Sequence, residues 1–351
     1  MTARLTILCG LLAGVAGAVA VSVSGSASHA SGVADDYADS LPICRKLGKP
    51  VLPRADRPTP AQRAALKGCS SEKLYYGEGV KVDYVKARLC AAIEAEGNED
   101  QHPIFSGSTI LMQLYANGRG VKRDPDLATA FACHIWSAPA EYDIRTEMLQ
   151  ALKTKPEPID YCDSLTSGLA AGACAARESR IAAVPRETGI ARTVAGFPPA
   201  GRAAYPAMRK AFDAFVEASG FGEVDASGTM RGVFITGARD ALNDQFAIDL
   251  ARLRNGKWPA ATAAEAKDAD ARLNTDYRAM LDWAGSKDNE GSTITADDIR
   301  KTQRLWLVWR DAYVRFAAAA APDVSRDAIL ARLTRLRLAQ FEKIRNGGEE
   351  G

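Results

Sequence analysis

The residues best suited to chemistry in this chain are its cysteines and histidines. Outside an apolar N-terminal run that contains Cys9, six cysteines remain: Cys44, Cys69, Cys90, Cys133, Cys162 and Cys174. An even number in an oxidising compartment is typical of three disulfides, although six cysteines allow fifteen connectivities. Metal binding is the alternative. There is no CxxC pair, and the only histidines outside the first thirty residues are His102 and His134, so we expect no zinc site.

Catalytic motifs are absent from the sequence. Neither histidine has a nucleophile motif beside it, and no G-x-S-x-G, H-E-x-x-H or phosphate-binding loop occurs. Carboxylates are plentiful without a diagnostic spacing, which leaves a glycosidase pair open. We therefore expect a non-enzymatic protein with no catalytic residues and no cofactor.

The N-terminus has the order of a secretory signal. Arg4 is followed by an apolar run from Leu5 to Val23 and then by small polar residues, so residues 1–30 are expected to be a signal peptide cleaved after Ala30, although Gly25 with Ala27 would also serve as a cleavage site. A retained membrane anchor is the alternative, because a run of this length could span a bilayer. We expect a periplasmic or secreted protein with no stable membrane insertion after cleavage.

Composition indicates an ordinary globular protein. The 351 residues are 47% hydrophobic and 25% charged, and the net charge of +2 provides no field that would attract nucleic acid. Apolar residues recur every three to four positions, and alternating valine and isoleucine runs are nearly absent, which predicts an all-α fold. We expect a short helical-repeat module followed by an antiparallel helical bundle.

An internal repeat follows a proline-rich linker or cap at residues 31–61. The stretch LYYGEGVKVDYVKA begins at Leu74, and LYANGRGVKRDPDLA echoes it from Leu114, about forty residues later. In each copy glycines permit a tight connection, and Asp83 or Asp124 is placed to cap a second helix. The pattern G-x-G-V-x-x-D-x-x-x-A resembles the Sel-one-like repeat, which implies a helical-repeat module at residues 62–150.

The repeat also predicts one disulfide. Cys69 and Cys90 lie at nearly equal distances on either side of the turn around Gly79, so antiparallel helices would bring them together. The matching positions in the second unit, Ile110 and Phe131, are apolar, which indicates a packing contact there instead of a covalent bond.

The C-terminal region has its own helical pattern. It begins after a break at Lys153–Pro158, and its clearest apolar stripe is Ile299, Thr302, Trp306, Trp309, Tyr313 and Phe316. Thr295 and Asp298 form a capping box before this stripe, and a last helix is expected from about Ser325 to Arg345. Packing of such stripes predicts a helical bundle over residues 158–346.

Three blocks in this region carry a resemblance to a known family. They are CDSLTSGLAAGACAARE, which contains Cys162 and Cys174; ADARLNTDYRAML, which contains Asp270, Asn274 and Tyr277; and KTQRLWLVWRDAYV, which contains Gln303, Trp306, Arg310 and Asp311. The order of the blocks is similar to that of the LprI-type lysozyme inhibitors. The resemblance implies binding of lysozyme, with peptidoglycan protected by occlusion of the muramidase cleft.

Departures from the family pattern concern disulfides and one insertion. Val314 and Ile329 stand where the family usually places two further cysteines, so the resemblance implies that Cys162 pairs with Cys174. Cys44 is then expected to pair with Cys133. The stretch from Phe197 to Trp258 is longer than in the minimal family pattern.

The family-motif residues allow two interpretations. Trp306, Arg310 and Asp311 could form a recognition surface, because Trp and Arg often anchor interfaces. We favour a structural role, with Trp306 in the core and Arg310 joined to Asp270 or Asp311 in a buried bridge. Asn274 and Gln303 are expected to be core amides with partners.

An acidic loop is the expected partner-binding feature. Residues 287–298, KDNEGSTITADD, superficially resemble a calcium loop, but the register puts Thr293 where an apolar residue is expected, so a solvated connector is favoured. For a cationic lysozyme, the candidate binding residues are Asp288, Glu290, Asp297 and Asp298. The alternative function is a periplasmic scaffold that holds an envelope protein through its repeats and has no inhibitory activity.

Overall fold

The computed structural model describes residues 39–97 and 104–346, and these residues contain thirteen α-helices and no β-strand. The expected signal peptide, the first part of the proline-rich segment and His102 lie outside the described residues. Within them, no helix combines the length and apolar character required to cross a bilayer. The helices are α1 (Leu41–Leu47), α2 (Pro60–Ala65), α3 (Ser71–Tyr76), α4 (Tyr84–Glu94), α5 (Gly107–Asn117), α6 (Pro125–Ala132), α7 (Pro139–Ala151), α8 (Gly168–Ala195), α9 (Pro199–Gly222), α10 (Arg231–Arg254), α11 (Ala263–Ala284), α12 (Ala296–Ala320) and α13 (Arg326–Arg345). The all-α expectation is confirmed.

The repeated sequence folds as two helical hairpins, α3–α4 and α5–α6. The first helix of each hairpin ends at a glycine in the left-handed conformation, with φ of 78° at Gly77 and 66° at Gly118. Glycine adopts this conformation without the steric cost that a side chain would bring. Asp83 and Asp124 then cap the second helices by accepting hydrogen bonds from backbone N–H groups three residues later.

Three disulfides cross-link the N-terminal half of the chain. The Cα atoms of Cys69 and Cys90 lie 6.1 Å apart, as do those of Cys162 and Cys174, while those of Cys44 and Cys133 lie 5.7 Å apart. These are ordinary disulfide separations and the pairs expected from the sequence. The Cys44–Cys133 bond attaches α1 to the end of α6, so the segment before the hairpins is held covalently against them.

Two clusters of buried apolar side chains form the cores. One lies among the hairpins, α7 and the start of α8, and includes Tyr115, Leu149 and Cys174. The other includes Ile190, near the end of α8, and the aromatic stripe of α12. The 28-residue helix α8 therefore contributes to both cores.

Helix α12 lies at the centre of the second cluster and runs antiparallel to α9. Gly201, at the start of α9, lies so close to Ala320 that an added Cβ would come within 2.7 Å of its Cα atom. At the other end of α9, Gly222 approaches Asp298 at the start of α12. The close approach buries the predicted stripe, with Trp306 and Phe316 at most 1% exposed.

Candidate functional site

The predicted partner-binding residues lie at one end of the C-terminal bundle, where α11 ends and α12 begins. Residues 282–298, here called the acidic segment, carry five carboxylates and one lysine, a net charge of −4. Asp288, Glu290 and Asp297 are exposed. Because the whole chain is near neutrality, this segment is a local acidic feature on an otherwise balanced surface.

The four candidate carboxylates are not equivalent. The structure records no hydrogen bond or ion pair to the side chains of Asp288 and Glu290 among the described residues, so both carboxylates are free to meet a partner. Asp297 pairs with Arg300 across 2.7 Å. Asp298 accepts the hydroxyl hydrogen bond of Thr295 at 2.6 Å, and its own N–H bonds back to that hydroxyl. Thr295 is therefore the residue that caps α12, and the Asp298 carboxylate holds its hydroxyl instead of closing the expected capping box on the Thr295 N–H.

A buried amide gives the acidic segment a defined shape. Asn289 is 8% exposed, and its Nδ2 donates to the carbonyl oxygens of Ala284 and Ile294 at 3.1 and 2.9 Å. The two bonds join the end of α11 to the residues just before α12. Gly291, between them, has a φ of 87°, which an L side chain rarely adopts. The exposed carboxylates on either side of Asn289 are thus held on an ordered turn.

A second connection fastens the acidic segment to the loop after α9. Asp225 accepts hydrogen bonds from the backbone N–H groups of Ser227 at 3.0 Å and Thr293 at 3.1 Å, and Thr293 Oγ1 accepts from Ala226 N–H at 2.8 Å. Although burial acts to raise it, these hydrogen bonds lower the pKa of Asp225 below its ordinary value. Asp225 is not among the site residues expected from the sequence. The D-x-S pattern signals a local turn, but nothing in it points to Thr293.

Several family-motif residues have structural roles. Trp306 is 1% exposed in the core, and the ring of Tyr277 stacks on Phe341 at 6.4 Å. Gln303 is buried as expected, and its Oε1 accepts from Nε of Arg337 at 3.0 Å. These positions hold α11, α12 and α13 together.

Two expectations about the motif need correction. Asn274 is exposed and not a core amide; its Nδ2 donates to the carbonyl and the carboxylate of Asp270, one turn earlier. Arg310 bonds to Asp311 at 3.0 Å and approaches Asp270 at 3.5 Å, but both carboxylates are 54% exposed. The bridge between α11 and α12 therefore lies at the surface, because Asn274 and Asp270 follow the solvent side of α11, away from buried Leu273.

The fully buried charges of the bundle lie elsewhere. Arg337 on α13 makes a two-point ion pair with Glu223 at the end of α9, and their side chains are 0% and 1% exposed. The Arg337 guanidinium also lies over the Phe341 ring at 4.4 Å from its centroid. Neither Arg337 nor Glu223 is among the candidate site residues expected from the sequence.

Potential metal ligands do not form a separate site among the described residues. The one group with suitable spacing is Cys69, Cys90 and Glu94, and its two sulfur atoms are bonded to each other. Glu94 accepts a hydrogen bond from the Ser71 backbone at 3.0 Å. His134 is exposed, with Nδ1 2.9 Å from the Ala130 carbonyl oxygen.

Comparison with known proteins bears on the C-terminal bundle. No curated protein and no solved structure matches the chain significantly. One family model does match, over a segment that holds α11, the acidic segment, α12 and most of α13, and that leaves the repeated hairpins outside. Residues 257–341 are similar to the family described as lysozyme inhibitor LprI.

Proposed function

We propose that this protein is a non-enzymatic lysozyme inhibitor that acts outside the cytoplasm and protects peptidoglycan by binding muramidase. The observation that carries the proposal is the match of residues 257–341 to the LprI lysozyme-inhibitor family. The three disulfides support an extracytoplasmic location, because such bonds persist in oxidising compartments.

The acidic segment is the surface that we assign to lysozyme. It lies inside the matched residues, and its exposed carboxylates Asp282, Asp288 and Glu290 have no side-chain partner recorded among the described residues. A cationic muramidase would be attracted by such a local charge, since complementary potentials raise the rate of encounter and orient the two proteins. The contacts of Asn289 and Asp225 keep the segment ordered before binding, which lowers the entropy lost on association.

A titration of purified mature protein into lysozyme that is degrading cell walls tests the function. We expect slower lysis at micromolar excess for at least one of two muramidases, an animal-type enzyme and a bacterial one. Unchanged lysis with both enzymes would contradict the proposal.

Matched charge variants test the surface. Asp288→Asn with Glu290→Gln removes two charges from the acidic segment, and Asp268→Asn with Asp323→Asn removes two exposed charges at the opposite end of the bundle. We expect the first variant to weaken inhibition at least tenfold and the second to leave it unchanged. Equal inhibition by both variants would show that the inhibitory surface lies elsewhere on the protein.

A further inference from the structure

A cavity of about 800 Å³ lies between α10 and α13, with α9 and α12 forming its floor. Helix α10 packs on α8 and α9, and α13 packs on α11 and α12, so the space between α10 and α13 stays open. The volume falls within the range of small-molecule sites. The walls combine α12 and α13, from the segment similar to the inhibitor family, with α9 and α10, which precede that segment.

The cavity is long and mostly apolar. On α10 its lining extends from Val233 to Asp249, a distance of about 24 Å at ~1.5 Å per helical residue. The facing lining on α13 extends from Leu333 to Ile344. Small residues line the middle of the α10 wall, namely Gly237, Ala238 and Ala241, and their size leaves the space empty of side chains.

The floor of the cavity is nearly closed to water, whereas its rim is open. Phe212 of α9 and Trp306 of α12 line the floor, yet each is only 1% exposed, whereas Phe234 at the rim is 55% exposed. A channel wide enough for a partner helix, about 10–12 Å across with its side chains, would leave the floor open to water. The geometry instead fits one extended alkyl chain lying along the cavity.

Among the charged side chains that line the cavity, all but one have a partner in the described structure, and the exception is a lysine at the mouth. Glu223 and Arg337 neutralise each other, and Asp249 bonds to Arg332 at 3.1 Å. Asp225 is occupied by the N–H groups of Ser227 and Thr293. Lys343 lines the cavity on the last turn of α13, is exposed, and has no ion pair recorded among the described residues.

We propose that this cavity binds a single-chain anionic amphiphile, of which a long-chain fatty acid is the simplest case. The alkyl chain lies between α10 and α13 over the aromatic floor, and the carboxylate meets Lys343 at the mouth. Burial of the alkyl chain supplies the affinity, because it removes apolar surface from water. This activity is separate from lysozyme inhibition and does not depend on it.

Displacement of a neutral fluorescent dye, N-phenyl-1-naphthylamine, from the mature full-length protein tests the proposal. We expect tetradecanoate, used below its micellar concentration, to displace the dye at micromolar levels. Gly237→Leu places a side chain in the cavity, where an added Cβ meets no atom within 4 Å, and it should weaken binding at least tenfold. Gly189→Leu is the matched control on α8, where a Cβ also meets nothing within 4 Å, and it should leave binding unchanged.

A comparison of an acid with an alcohol of the same chain length tests the role of Lys343. Lys343→Glu should weaken tetradecanoate at least threefold more than tetradecanol, because only the acid loses an attractive charge. Binding by Gly237→Leu as tight as by the unmodified protein, or no displacement by tetradecanoate from that protein, would overturn the cavity assignment. Equal losses for the acid and the alcohol in Lys343→Glu would overturn the anionic headgroup. Far-UV circular dichroism verifies that each variant is folded, and Ala241→Trp fills the same space if Gly237→Leu does not fold.

Discussion

Arg337 on α13 and Glu223 at the end of α9, 114 residues apart in the chain, form a two-point ion pair from which solvent is excluded. Gln303 of α12 accepts a third hydrogen bond from the same guanidinium. One arginine therefore joins α13 to α12 and to the end of α9. This arrangement gives the pair a structural role.

Removal of one partner of this pair should be strongly destabilising. We expect Glu223→Ala to lower the free energy of unfolding by about 3–5 kcal/mol, because it leaves the Arg337 charge buried without its counterion. Asp311→Ala, which breaks the surface pair with Arg310, should cost less than about 1 kcal/mol. Urea unfolding of both variants gives the comparison. Similar losses for the two would show that the buried pair contributes no more than the exposed one.

The disulfides should differ in how much they stabilise the folded protein. The chain-entropy relation, applied to separations of 89 residues for Cys44–Cys133 and 12 for Cys162–Cys174, gives stabilisations of about 4–5 and about 3 kcal/mol. We therefore expect replacement of Cys44 and Cys133 by alanine to lower the melting temperature more than replacement of Cys162 and Cys174. The opposite order would mean that the longer loop is already constrained in the unfolded chain.

Stability should depend on pH through Glu141, which is 1% exposed on α7. Although burial acts to raise it, hydrogen bonds from Thr166, Ser167 and Ala138 lower the pKa of Glu141 below its ordinary value of 4.5. Because the pKa of Glu141 is lower in the folded state than in the unfolded state, ionised Glu141 stabilises the fold. This stabilisation is fully present above pH 4.5 and is lost as the pH falls through the folded-state pKa.

Glu141→Gln should therefore reduce the stability difference between pH 6 and pH 3, measured by thermal unfolding. Glu147→Gln, at an exposed position on the same helix, should show the same stability difference between pH 6 and pH 3 as the unmodified protein. An unchanged pH profile in Glu141→Gln would show that its hydrogen bonds do not favour the ionised form.

The shape of the acidic segment should depend on Asn289. Asn289→Ala leaves the carbonyl oxygens of Ala284 and Ile294 without their donor, which should cost about 1–3 kcal/mol. We expect faster amide hydrogen exchange over residues 284–294 and unchanged exchange in α5, which belongs to the other core. Slow exchange over residues 284–294 in this variant would show that the turn is held by other contacts.

Local signals made much of the fold predictable. Helix caps such as Thr295 and Asp83 act on backbone groups a few residues away, so residue type and spacing are enough to identify them. The Cys69–Cys90 disulfide followed from a short hairpin for the same reason. The expectation that Asn274 is a core amide is wrong, because its position on α11 next to buried Leu273 turns its side chain toward solvent.

The sequence by itself determined the helical class, the hairpin turns, the apolar stripe of α12 and, with the family resemblance, the disulfide pairs. The tertiary structure alone decided that Asp225 fastens Thr293, that Glu223 meets Arg337, and that a cavity separates α10 from α13. The reason is physical. Helix formation depends on contacts three or four residues apart, whereas these features depend on helix packing that brings together side chains tens of residues or more apart in the chain.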